Sequence, residues 1–107
     1  MKSALYAGAA AVALVALAGA SALAQTRDQI RIVGSSTVFP YTQAVAEQFS
    51  GVTGMAAPVV ESTGTGGGMQ IFCGGVGPAH PDITGASRAM TQSEYDSCLA
   101  SGVDSIT

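Results

Sequence analysis

Three short clusters of hydroxyl residues and glycines carry most of the chemistry this sequence offers: Gly34-Ser35-Ser36-Thr37, Glu61-Ser62-Thr63-Gly64-Thr65-Gly66-Gly67-Gly68 and Gly85-Ala86-Ser87-Arg88. Serine and threonine hydroxyls both donate and accept hydrogen bonds, and glycine lets backbone amides approach a ligand closely. Such clusters suit a small oxyanion, fully ionised or partly protonated, held by neutral donors. Any one of them alone reads equally well as a turn whose hydroxyls bond their own backbone.

Nucleotide and hydrolase motifs do not fit. After its glycines the second cluster continues with Met69 and Gln70, where a P-loop requires Lys and then Ser or Thr. A dinucleotide fingerprint laid on Gly64 and Gly66 requires a small residue at position 69, which is Met. A serine hydrolase needs a nucleophile elbow and a histidine base. There is no Gly-x-Ser-x-Gly, and His80 is the single imidazole, flanked by Pro78 and Pro81 in a loop expected to be solvated. With one histidine and two cysteines as the only residues of the usual zinc-binding N and S types, neither a metal site nor a cofactor is expected.

The elements that must position the clusters follow from the flanking pattern. Ile30-Arg31-Ile32-Val33, Pro58-Val59-Val60 and Asp82-Ile83-Thr84-Gly85-Ala86 read as three strands, each running into one cluster. Pro40 suits a first helical turn. Behind it Tyr41, Ala44, Val45, Gln48 and Phe49 fall on one helical face, and Gly51 and Gly54 are expected to end that helix. The second cluster opens a helix in which Met69, Phe72 and Cys73 share a face, broken by Gly74-Gly75-Val76-Gly77-Pro78. Thr91-Gln92-Ser93-Glu94 is a capping box. It starts a helix running to about Ala100, with Tyr95, Cys98 and Leu99 expected inward, Gly102 in the left-handed position, and a further strand from Val103.

Strands alternating with helices predict an α/β unit with a largely parallel sheet. In such sheets ligands bind beyond the carboxyl ends of the strands, and helix N-termini there favour anions. All three clusters are expected on that one rim.

Composition narrows the setting. The 107 residues are 48% hydrophobic and 10% charged, figures raised by the first two dozen positions. Lys2, the apolar run Ala9 to Ala20 and the small-x-small Ala22-Leu23-Ala24 form a signal-peptide pattern, with cleavage expected between Ala24 and Gln25. The remaining 83 residues hold three arginines against seven carboxylates, a net charge of −4. That balance gives no electrostatic footprint for nucleic acid. Cys73 and Cys98 both lie in the expected exported part, where one disulfide is the simple expectation.

Taken in order, "GSSTVFP" from Gly34, "ESTGTGGG" from Glu61 and "PDITGASR" from Pro81 resemble the first three ligand loops of the phosphate-binding, substrate-capturing proteins of Pst-type ABC importers. The resemblance implies a periplasmic-binding-protein-like (type II) clamshell of two α/β lobes that encloses phosphate and delivers it to a membrane permease. It implies ligand contacts from Ser36, Thr37 and Val38 in the first loop. In the second, Thr65 falls where a ligating serine is common, beside the amides of Gly66 and Gly67; the third would contribute Ser87 and Arg88. At position 88 the chain departs from the best-known pattern, in which an aspartate accepts the proton of hydrogen phosphate. Arginine offers a forked, permanently charged donor instead. It either binds the anion or forms a salt bridge with Glu61 or Asp82 and leaves the site.

A two-lobed protein of this kind needs roughly 250 residues or more, two ordinary domains. Residues 25–107 therefore read as the N-terminal part of the first lobe. Two other classes compete: a secreted phosphate-ester hydrolase whose base or metal ligands lie elsewhere, and a ligand-free surface or interaction protein on the same fold.

Overall fold

The alternation expected from the sequence is present in the computed structural model, which describes residues 27–107. The expected leader at 1–24 lies outside the described residues. The order is β1 (Arg31–Gly34), α1 (Phe39–Thr53), β2 (Val59–Ser62), α2 (Thr65–Phe72), β3 (Ile83–Gly85) and α3 (Gln92–Ala100). The strands form one sheet in the order β2-β1-β3. Both pairings are parallel, with Gly34 opposite Ser62 on one side and Gly85 on the other. All three strands thus end at the same height, and the three clusters leave from adjacent points.

Burial explains the central strand. Ile32 and Val33 are buried, and β-branched side chains suit a covered pleated surface. Helix α2 covers β1 and β3, and the contact is too close for a side chain on either backbone. A Cβ on Gly68 would lie 2.5 Å from Thr84 Oγ1 and 2.6 Å from Gly34 Cα, and one on Gly34 would run into the Gly85 backbone. Gly68 is thus the packing glycine of the second cluster, whereas Gly66 and Gly67 have ordinary room.

Helix α1 carries proline in its first turn and ends at Gly54, whose φ is +71°. It runs through Gly51, where the helix was expected to end; one interior glycine costs only about 1 kcal/mol, and the helix bridges it. Its buried residue is Ala46. Tyr41 and Val45, 74% and 65% exposed, instead line an open apolar groove of about 500 Å³ with Ile30, Ile32, Phe49 and Ile83. None of the eight residues expected at the rim lines that groove.

The capping box of α3 is complete: Thr91 Oγ1 accepts the Glu94 N–H, and a Glu94 carboxylate oxygen accepts the Thr91 N–H. Cys73, following α2, is disulfide-bonded to Cys98 of α3. With Val103 they form a core cluster, against which Phe72, Met90 and Ile106 pack. Tyr95 and Leu99, expected inward, are each 42% exposed, because the disulfide turns the Cys98 face of this short helix toward α2. Gly102 takes the left-handed position, with φ +84°. The strand expected from Val103 does not form. The Val103 N–H closes the helix end on the Cys98 carbonyl, and Val103 is buried against the disulfide. Among the described residues no helix is long and apolar enough to cross a membrane.

Candidate functional site

The backbone knits the three clusters together first. Ser35 N–H donates to the Gly85 carbonyl at 2.9 Å and Thr63 N–H to the Gly34 carbonyl at 3.0 Å, so the first loop is tied to both others. Ser35 is buried, and its hydroxyl accepts the Val38 N–H at 3.2 Å. The Val38 amide, expected to face a ligand, is therefore engaged within its own loop. Ser36 and Thr37 are exposed.

The second and third loops meet through side chains. Thr65 and Ser87 hydroxyls lie 3.1 Å apart, and the Ser87 N–H donates to Thr65 Oγ1 at 3.2 Å. Thr65 opens α2 behind Gly64, whose φ of +80° and ψ of 159° lie in a region essentially reserved for glycine. With glycine at the cap there is no side-chain acceptor for the helix start. The first intrahelical bond is Gly68 N–H to Gly64 O, and the N–H groups of Thr65, Gly66 and Gly67 precede it without an intrahelical acceptor. This end of α2 is suited to an anion.

The other two helices do not offer the same opening. In α1 the Phe39 N–H bonds Ser35 O, the Tyr41 N–H bonds Val38 O, and Pro40 has no N–H. Helix α3 begins only at Gln92, several residues past Ser87, and its capping box engages the Thr91 and Glu94 N–H groups. Among the described helices, α2 is therefore the one that presents free first-turn amides beside the clusters.

Arg88 lies beside that end. A Cβ on Gly66 would sit 3.8 Å from Arg88 Nη2. The guanidinium pairs with Glu94, Nη1 to Oε1 at 2.8 Å and Nη2 to Oε2 at 2.9 Å. Glu61 and Asp82, the partners considered from the sequence, belong to other arginines. Glu61 lies 3.6 Å from Arg31 Nε, and Asp82 bonds Arg27 at 2.7 Å. The Arg88 bond, followed by the Thr91 N–H, holds the Glu94 carboxyl well below its ordinary range, at about 2. The same bond raises Arg88 further above its usual value. Glu94 was legible in the sequence as a helix cap; its ion pair depends on the bend at Ser87-Arg88, which spacing does not reveal.

His80 sits at the opposite ends of the strands. Its carbonyl accepts from Arg27 Nη1 at 2.8 Å, and its ring lies against Gly75; it is half-buried rather than fully solvated. Among the described residues no three His, Cys, Asp or Glu side chains gather as metal ligands.

A parallel sheet with hydroxyl loops at the strand ends, one of them opening an uncapped helix, is the architecture of a ligand-binding α/β lobe. The PBP superfamily domain matches residues 19–106, and the chain belongs to that superfamily. It is 43% identical over 74 residues to Protein SphX of Synechocystis sp. and 41% identical over 70 residues to Protein SphX of Synechococcus elongatus. These matches cover 69% and 65% of this chain. A crystal structure of "a possible phosphate binding protein" from Planctomyces limnophilus matches over 69% of the chain, with TM-score 0.61 and 44% identity. The matched part is 21% and 20% of the two SphX proteins and 25% of the crystallised chain.

Proposed function

We propose that this chain is the N-terminal part of an extracytoplasmic solute-binding protein that captures inorganic phosphate and passes it to an ABC permease. The observation that carries the reading is the meeting of Thr65 and Ser87 at 3.1 Å, beside the open amide end of α2 and the Arg88 guanidinium. A phosphate oxygen accepts hydrogen bonds from hydroxyl, amide and guanidinium donors alike, and charge-assisted bonds of this kind are the stronger ones. The similarity to the Planctomyces protein supports phosphate as the ligand. The leader pattern at residues 1–24 supports export to the periplasm.

Ser36, Thr37, Thr65, Gly66, Gly67, Ser87 and Arg88 are the proposed ligand set, with Thr65, Gly66, Gly67 and Arg88 at its centre; Val38, whose amide bonds Ser35 Oγ, leaves it. The second lobe would come from the part of the longer relatives that this chain does not span. The proposed role is binding without catalysis, in which the hydroxyls, amides and guanidinium of this rim serve as donors to the anion. Titration calorimetry of the intact protein with phosphate and with sulfate tests it. Saturable heat with phosphate is expected; no heat from either anion at millimolar concentration overturns it.

A further inference from the structure

A guanidinium has five N–H donors, and in Arg88 they divide into two edges. Nη1 and Nη2 form the end edge, which grips Glu94, and the second Nη1 hydrogen goes to the Ala89 carbonyl at 3.0 Å. The side edge, Nε–H with the second Nη2–H, is a parallel pair that none of the described hydrogen bonds uses. Nη2, the atom the two edges share, lies 3.8 Å from where a Cβ on Gly66 would stand, so the unused edge meets the first turn of α2 at that corner.

Glu94 is well placed to hold the other edge. Its side chain is 17% exposed, and Oε1 also accepts the Thr91 backbone N–H at 2.9 Å. The helix that carries it is tied to the far end of α2 by the disulfide. Arginine therefore need not choose between salt bridge and ligand.

We propose that Glu94 is a positioning residue for anion capture: it grips the end edge of Arg88 so that the Nε/Nη2 edge stays aimed at the amide end of α2 and takes two oxygens of the ligand. This rests on the phosphate reading of the rim. A lysine at position 88 could not serve both partners, because its point charge lacks the second edge.

The test is a double-mutant cycle in the intact protein, with inorganic phosphate titrated into wild type, Glu94→Gln, Arg88→Gln and the double variant. Glutamine is an accepted capping-box residue, so Glu94→Gln keeps the helix start while removing the charge on the grip. Loss of a charge-assisted contact is expected to weaken phosphate about 30-fold in Arg88→Gln and about tenfold in Glu94→Gln, with the double variant no weaker than Arg88→Gln alone. Thr91→Ala, which damages the cap but leaves the fork, is expected to lower the melting temperature without changing affinity. The proposal is overturned if Glu94→Gln binds phosphate as well as wild type or better. It is overturned equally if Glu94→Gln weakens binding by the same factor on the Arg88→Gln background, or if Thr91→Ala reproduces its effect. Failure of wild type to bind phosphate would instead overturn the phosphate reading, and this proposal with it.

Discussion

Gly68 of α2 rests against Gly34 of β1 so closely that a Cβ on Gly68 would come within 2.6 Å of Gly34 Cα. Neither backbone atom can retreat without moving the sheet or the helix. Gly68→Ala is therefore expected to destabilise the protein by about 1–3 kcal/mol, the usual range for overpacking. It should also weaken phosphate, because the first turn of α2 is lifted. Gly51→Ala is the matched control: nothing lies within 4 Å of its added methyl, and alanine in a helix interior should stabilise by roughly 0.5–1 kcal/mol. Urea unfolding of both variants, with calorimetry on the first, checks the pair.

Thr65 links two loops through one hydroxyl. Thr65→Ala removes the acceptor of the Ser87 N–H and the partner of the Ser87 hydroxyl, and with them a proposed donor to the ligand. Phosphate affinity is expected to fall about tenfold, the size of one hydrogen bond to a charged group. Thr65→Ser, which keeps the oxygen, should bind within a few-fold of wild type.

The Arg88–Glu94 pair predicts a pH dependence of stability. The folded carboxyl titrates at about 2, against an ordinary value of 4.5. A depressed folded value means the stabilisation is fully present above pH 4.5 and is lost as pH falls toward 2. Thermal unfolding from pH 6 down to pH 2 should show Glu94→Gln losing less stability than wild type over that window. Equal losses would show that the pair contributes nothing.

The Cys73–Cys98 disulfide closes a loop of sequence separation 25, worth about 3–4 kcal/mol on the chain-entropy account. The double variant Cys73→Ser, Cys98→Ser should lose stability of that order in chemical unfolding. Reductant should lower the midpoint of the wild type but not of the variant.

The three strands, the parallel sheet, the α3 capping box and the disulfide were all legible in the sequence, because each depends on local pattern or on a count of two cysteines. Interactions through space were not. Helix α3 was expected to bury Tyr95 and Leu99, yet a nine-residue helix pinned by one disulfide needs only its Cys98 face covered. Val103 looked like a strand start because it is apolar and β-branched; a helix-end bond and packing on the disulfide use it instead. At the rim, strand alternation led to the expectation that the three clusters share one edge, whereas the Thr65–Ser87 contact depends on how the second and third loops fold toward each other. The two partners expected for Arg88 hold Arg27 and Arg31 instead, and the bend at Ser87 and Arg88 brings the guanidinium to Glu94.

The makeup of the rim has a consequence for measurement. Ser36, Thr37, Thr65, Ser87 and the amides beside them bind no proton near neutrality, Arg88 stays charged, and the Glu94 carboxyl is ionised far below that range. His80, the single imidazole of the sequence, belongs to the other end of the strands. Between pH 5 and 9 these residues exchange no proton, so on the proposed phosphate reading the pH dependence that this rim contributes to a binding constant should trace the ionisation of the anion. With phosphate it should reveal which protonation state is taken up; with sulfate, which has none to lose there, it should be flat.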